Sequence, residues 1–157
     1  TGTYYYICTV PGHGIQGMVG EIVVGEGAAA PEAASPTGVS HDINFDFVES
    51  SDFRTLAFNA LPGEEGHNPE IRVNSGDEVT ITTVNAGKSF HAFGVDSNPD
   101  DFNSVIFDYA IAAATNHLKP GESGSVTVLA GALGTYYYIC TVPGHALQGM
   151  QGSFIVE

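Results

Sequence analysis

Apolar and polar residues alternate along several short stretches of the chain. Ile43, Phe45 and Phe47 alternate with polar residues, and residues 78–84 read EVTITTV with the same period of two. This period is typical of strands that bury one face. Further short apolar stretches bounded by turn residues predict strands over 54–58, 71–73, 90–95, 125–129, 134–140 and 152–156. Only residues 108–117 allow a helix, so the sequence predicts an all-β Greek-key sandwich or barrel.

A segment near the amino terminus is repeated at the carboxyl end. Residues 2–24 and residues 134–156 are identical at 17 of 23 positions, which indicates a duplicated element. Residues 25–40 are rich in Ala, Gly, Pro and Ser and are typical of a linker. We expect residues 41–157 to form a complete domain. Residues 1–24 are then either the terminal hairpin of a preceding, largely missing repeat or a hairpin donated to a neighbouring subunit, which would make the chain self-associate.

Acidic residues dominate the charge of the chain. Among 157 residues, 18 are Asp or Glu and four are Lys or Arg, which gives a net charge of −14. Phosphate would be repelled, which excludes nucleic acid as a partner and argues against anionic membranes. No apolar run approaches the roughly 20 residues needed to span a bilayer, so no membrane insertion is predicted. The charge favours a basic redox protein as partner, although solubility alone explains it equally well.

Three residues with metal-binding side chains lie on one short loop. Cys140, His145 and Met150 are separated by four residues each, after an aromatic strand and across a Pro-Gly turn. A thiolate, an imidazole and a thioether form a soft ligand set, which selects copper over Mg or Ca. A type 1 copper site needs a second imidazole, and we expect His91, between two phenylalanines, to supply it.

Every Cys and every Met of the chain lies in one of the two copies of this loop, and the second set is Cys8, His13 and Met18. A disulfide between Cys8 and Cys140 is disfavoured, because it would join equivalent positions of two equivalent hairpins. Structural zinc is disfavoured because it seldom uses Met. The amino-terminal set has no upstream histidine in this chain. We therefore expect an incomplete second metal site, which would need a histidine and a sheet from another chain.

Two stretches carry a resemblance to a known family. The segment GTYYYICTVPGH, continued through Met150 into GSFIV, is similar to the copper loop and last strand of cupredoxins. The stretch NPEIRVNSGDEVTITTVNAGKSFHAF resembles the approach to their first copper histidine. The resemblance covers about residues 68–157 and implies a Greek-key sandwich, a mononuclear type 1 copper and one-electron transfer. It implies the ligands His91, Cys140, His145 and Met150. Ala92 departs from the pattern, since cupredoxins often place Asn or Ser there to join the two ligand segments.

The resemblance also implies a route for electrons. The ring edge of His145 would reach the surface through an apolar patch of Pro143, Ala146 and Leu147. The weak ligand Met150 and apolar surroundings would favour Cu(I) and raise the reduction potential; we expect these surroundings to be Phe90, Phe93, Tyr138 and Leu147. Copper and thiolate chemistry indicate an extracytoplasmic compartment, either periplasmic, secreted or on the cell surface.

An enzyme and a copper store remain as alternative functions. Multicopper oxidases and copper nitrite reductases link the type 1 copper to a catalytic copper through histidines beside the cysteine, whereas Ile139 and Thr141 flank Cys140 here. Copper stores and chaperones favour several exchangeable Cys and Met sites rather than one rigid site. The sequence therefore favours an electron carrier, or a module of a tandem redox protein, over a catalytic domain.

Overall fold

The chain divides into two compact units, Thr1–Glu32 and Ala33–Glu157. The computed structural model describes residues 2–7, 19–25, 34–98, 105–113 and 116–157. In the first unit, strands β1 (Gly2–Ile7) and β2 (Val19–Val24) form an antiparallel hairpin. The loop between them, which carries Cys8, His13 and Met18, lies outside the described residues, and so does the predicted second metal site.

The second unit contains two β-sheets. The four-stranded sheet has the order β4-β3-β6-β9, and its strands are β3 (Ser40–Glu49), β4 (Leu56–Phe58), β6 (Glu78–Asn85) and β9 (Ser123–Leu129). The five-stranded sheet has the order β5-β11-β10-β7-β8, and its strands are β5 (Ile71–Val73), β7 (Phe93–Asp96), β8 (Val105–Ile111), β10 (Gly134–Ile139) and β11 (Gln151–Val156). β3 runs parallel to β6 and β5 parallel to β11, while the other paired strands are antiparallel. The predicted all-β sandwich is confirmed.

Aromatic side chains from both sheets form the core of this unit. The alternation along β3 buries Phe45 and Phe47, as the sequence predicts. The ring of Phe45 lies 5.2 Å from that of Phe58 in its own sheet and 4.8 Å from that of Tyr138 in the other sheet. The Tyr138 hydroxyl donates a hydrogen bond of 2.7 Å to the carbonyl of Pro69, so its one polar atom is satisfied inside the core.

The helix allowed at residues 108–117 is wrong, because residues 105–111 form β8. β8 pairs antiparallel with β7, and Tyr109 and Ile111 are buried on either side of exposed Ala110. Pairing with β7 and the alternating burial of its side chains favour a strand here, and they outweigh the helix propensity of the alanines that follow. Among the described residues, no helix is long and apolar enough to cross a membrane.

The two copies of the repeat form hairpins with the same register. Gly2 pairs with Val24 in the first unit, as Gly134 pairs with Val156 in the second. In the second unit the hairpin lies between β7 and β5, and Tyr138 is fully buried. The matching Tyr6 of the first hairpin is 61% exposed. The same sequence pattern therefore forms part of the core in the second unit and a hairpin with exposed aromatic side chains in the first.

The end of the predicted linker is attached to the second unit. The backbone N–H of Thr37 donates to the carbonyl of Gly76 over 2.9 Å, and its hydroxyl donates to Asp77 over 2.5 Å. Asp77 also accepts hydrogen bonds from the Asn74 backbone and the His41 ring. Strand β3 begins at Ser40, directly after this anchored segment.

Candidate metal centre

A tight loop after β10 carries Cys140, His145 and Met150. The backbone N–H of Cys140 donates to the carbonyl of Met150, over 3.1 Å, and the N–H of Met150 donates to the carbonyl of His145, over 3.2 Å. A 3₁₀-helix, Ala146–Gln148, fills the turn between them. It ends at Gly149, which has a φ of 105°, and a Cβ atom there would lie 3.2 Å from the Leu56 carbonyl oxygen, so the position favours glycine. The loop backbone is thus fixed at both ends.

His91 comes from a separate segment, just before β7. Its backbone N–H and carbonyl both pair with Leu118, over 3.1 and 2.8 Å. β7 lies beside β10 in the sheet, with Gly94 opposite Ile139. The pairing of these two strands brings His91 next to Cys140.

Three potential ligand atoms converge at this point. The Nδ1 atom of His145 lies 3.3 Å from Nδ1 of His91 and 3.4 Å from Sγ of Cys140, and the remaining side of the triangle, from Cys140 Sγ to His91 Nδ1, is 3.8 Å. Metal bonds of about 2.0 Å to nitrogen and about 2.3 Å to sulfur, set about 120° apart, would separate the ligand atoms by about 3.5 Å (N to N) and about 3.7 Å (N to S). The triangle therefore fits one metal ion with trigonal coordination by two imidazoles and a thiolate, the equatorial plane of a type 1 copper site.

The site is almost closed to water. His91, Cys140 and Met150 are fully buried, and His145 is partly exposed. In the part of the chain that the structure describes, Cys140 is a free cysteine. Ala92 has no polar side chain to join the two segments, but its backbone N–H lies 3.4 Å from Cys140 Sγ and donates to it. A buried backbone donor therefore makes this link between the ligand segments.

The protonation states of the metal-free site follow from its burial. Burial raises the pKa of the Cys140 thiol to about 11, against smaller opposing effects of the Ala92 and Val142 N–H groups. Burial, and next the charge of His91, lower the pKa of His145 to about 4. Burial also lowers the pKa of His91, although Glu49 opposes this. At neutral pH the site therefore holds a thiol and neutral imidazoles, and both imidazoles are free to bind a metal.

Two polar residues behind His91 were not singled out from the sequence. The carboxylate of Glu49 and the hydroxyl of Ser89 lie 3.3 and 3.1 Å from Nε2 of His91. Burial raises the pKa of Glu49, but hydrogen bonds from Ser89, Lys88 and His91 outweigh it, and the pKa lies below its usual value. The sequence did contain an indication for Glu49. It lies two residues after Phe47 and four after Phe45 in β3, so its side chain is on the same face of the strand as these buried residues.

The surface patch predicted around His145 is only partly present. Pro143 is exposed and Leu147 is 70% exposed. The prediction that Ala146 contributes to this surface is wrong, because the turn of the 3₁₀-helix buries it completely. Of the predicted apolar surroundings, Phe93 and Tyr138 are buried in the core, whereas Phe90 is 48% exposed.

Comparison with known proteins gives consistent matches to copper proteins. Residues 65–157 match the family of copper binding proteins described as the plastocyanin/azurin family. The chain is 42% identical over 86 residues to auracyanin-B of Chloroflexus aurantiacus, a match covering 55% of this chain and 34% of that protein. It is 35% identical over 105 residues to rusticyanin of Acidithiobacillus ferrooxidans, covering 62% of this chain and 68% of that protein. The chain thus spans about a third of the first relative and two thirds of the second.

Solved structures show the same fold. A rusticyanin structure from Thiobacillus ferrooxidans superposes with a TM-score of 0.57 at 26% identity, covering 77% of this chain and 79% of that one. A dithionite-reduced auracyanin from Roseiflexus castenholzii superposes with a TM-score of 0.53 at 28% identity, covering 76% of this chain and 99% of that one. The sandwich described above is therefore the cupredoxin fold.

Proposed function

Since this chain belongs to the plastocyanin/azurin family of copper binding proteins, we propose that it is a one-electron carrier, or the electron-carrying module of a larger redox protein. His91, Cys140 and His145 would hold the copper ion, and Met150 would be its weak fourth ligand. The observation that carries this proposal is the buried triangle of Nδ1, Nδ1 and Sγ atoms, with sides of 3.3, 3.4 and 3.8 Å. Bound copper supplies a couple between Cu(I) and Cu(II).

The protein's part is to hold the ligands still and keep water out. Cys140 and Met150 are joined by a backbone hydrogen bond, and His91 is anchored to Leu118 by two. These bonds fix the positions of the ligand segments before a metal arrives. A scaffold whose geometry changes little between the two oxidation states keeps the reorganisation energy of electron transfer small. Met150 is completely buried on the same loop, which supports its proposed role as the fourth residue that would hold the copper.

His145 is the ligand through which we expect electrons to enter and leave. It is the least buried of the four residues, and exposed Pro143 and Leu147 lie close to it in sequence. A small apolar surface of this kind suits a short-lived contact with another redox protein. The net charge of −14 would steer a basic partner toward the chain. An extracytoplasmic location belongs to the same proposal, because a buried copper–thiolate site suits that compartment.

Voltammetry of the copper-loaded full chain tests the proposal. We expect one reversible one-electron wave per bound copper, fast exchange with a small redox partner, and no turnover of nitrite or a phenol. Cys140→Ser should lose the wave, whereas the surface variant Leu147→Ser should keep its potential and lose exchange rate with a protein partner. An irreversible wave, or turnover of either substrate, would contradict the carrier.

The amino-terminal hairpin leads to a proposal about assembly. The exposure of the apolar side chains of Tyr6 and Val24 supports packing of this hairpin against another molecule. Another copy of the chain is the partner we propose, with the hairpin packed on its surface, because its own β10 and β11 already fill the place between β5 and β7. Cys8, His13 and Met18 would then bind a second copper only where that copy supplies a further histidine.

Mass measurement across a range of concentrations tests this assembly. The full chain should dimerise as its concentration rises, and a Tyr6→Ser, Ile22→Ser variant should remain monomeric, since these two side chains are 61% and 50% exposed on the hairpin. A full chain that stays monomeric throughout contradicts self-association. Copper bound above one ion per chain in the dimer would support the second site.

A further inference from the structure

A buried carboxylate stands on the far side of the His91 ring from the metal centre. Glu49 is the last residue of β3, and only 4% of its side chain is exposed. Its Oε2 atom lies 3.3 Å from Nε2 of His91, whereas Nδ1 of the same ring faces Cys140 and His145. The imidazole therefore connects the carboxylate to the metal site.

Among the described residues, the groups that contact this carboxylate are hydrogen-bond donors. Its Oε1 accepts the backbone N–H of Lys88 over 2.5 Å and that of Ser89 over 3.2 Å, and Oε2 accepts the Ser89 hydroxyl. A carboxylate surrounded by donors acts as an acceptor, so the hydrogen bond with His91 requires the proton to sit on Nε2 of the ring. Nδ1 is then left with a free lone pair that faces the site.

The loop after β6 is shaped around this carboxylate. A Cβ atom at Gly87 would lie 3.1 Å from Cδ of Glu49, so a larger residue would crowd the group. The Asn85 side chain accepts the Gly87 N–H and donates to the carbonyls of Ser89 and Leu118, over 3.0, 2.8 and 2.9 Å. Leu118 is also the backbone partner of His91. One network thus holds the carboxylate, the loop and the histidine together.

We propose that Glu49 is a positioning residue for the copper site: its carboxylate fixes His91 as the Nε2–H tautomer, with Nδ1 directed at the metal, and places a negative charge behind this ligand. The role rests on the proposed copper function. A negative charge stabilises the higher charge of Cu(II) relative to Cu(I). Glu49 therefore lowers the reduction potential, against the effect of the apolar core.

The first test is the reduction potential of copper-loaded Glu49→Gln, which keeps the shape of the side chain and removes its charge. The matched control is Asp42→Asn on the same strand, because Asp42 is exposed and lies about 23 Å away at 3.3 Å per residue. Glu49→Gln should shift the ratio of Cu(I) to Cu(II) affinity at least tenfold toward Cu(I), an upward shift of about 59 mV for one electron. The control should shift the potential by less than half as much. Equal shifts in the two variants would overturn the proposal.

The second test needs no copper and separates this proposal from the carrier function. Ring ¹⁵N NMR of the metal-free full chain at neutral pH should show His91 as the Nε2–H tautomer, and Glu49→Ala should populate both tautomers. A wild-type His91 protonated on Nδ1 would overturn the positioning role, even if the protein binds copper. The expected tautomer together with no type 1 copper signal would contradict the carrier function and leave the role of Glu49 in orienting His91 standing.

Discussion

Copper binding should release one proton per ion at neutral pH, and this proton should come from Cys140. The thiol has a pKa of about 11 and His145 one of about 4 in the metal-free protein. At pH 7 the thiol is therefore protonated while the imidazoles are neutral. Ionising the thiol at pH 7, four units below its pKa, costs about 5 kcal/mol at 1.36 kcal/mol per unit. The metal–thiolate bond must offset this cost, so the apparent affinity should rise tenfold per pH unit from about pH 7 to pH 10.

Calorimetric titration in two buffers with different ionisation enthalpies measures the number of protons released. Zn(II) serves as a probe that cannot oxidise the thiol, beside Cu(II) itself. Cys140→Ser, which has no thiol to ionise, should release none. A wild-type release of zero would mean that the buried site holds a preformed thiolate. A release of two would mean that one of the histidines is charged at pH 7. Either result would refute the electrostatic account of the site.

Three further predictions follow from the same structure. Met150→Gln should keep the colour of the copper protein and lower its potential by voltammetry, because an amide oxygen is a harder axial ligand than a thioether. The metal-free protein should lose unfolding free energy in denaturant titrations as the pH falls from 6.5 to about 4, since the unfolded chain then binds a proton that folded His145 does not. Copper loading should extend this loss below pH 4, because a metal-bound imidazole takes up no proton. Phe45→Ala, at a position 1% exposed between the sheets, should cost about 3–5 kcal/mol of unfolding free energy, and Tyr138→Phe only about 1 kcal/mol.

The parts of the fold that follow from local pattern were predictable from the sequence. The alternation of Ile43, Phe45 and Phe47 indicated β3, and the spacing of Cys140, His145 and Met150 identified the loop that bends around one point. Both depend on residues close together in the chain. The strand at 105–111 was harder to foresee, because its pairing with β7 comes from tertiary contact and the alanines after it favour a helix locally.

The surroundings of the site depended on contacts between distant segments. Glu49 is 42 residues from His91 in sequence, and only the pairing of β3 and β6 brings the end of β3 close to the loop before His91. The burial of Ala146 likewise depends on the turn of the 3₁₀-helix, which the Pro-Gly motif alone does not specify. The metal ligands could therefore be predicted from residue types and spacing. The groups that orient these ligands could be identified only from the folded structure.

The visible and electron paramagnetic resonance spectra after adding Cu(II) test the central claim most directly. Two imidazoles, a thiolate and a weak thioether around one ion should give intense thiolate-to-copper charge-transfer absorption with narrow copper hyperfine splitting, and Cys140→Ser should abolish both. A colourless product, or weak absorption with wide splitting in the wild-type chain, would show that His91, Cys140 and His145 do not bind copper together.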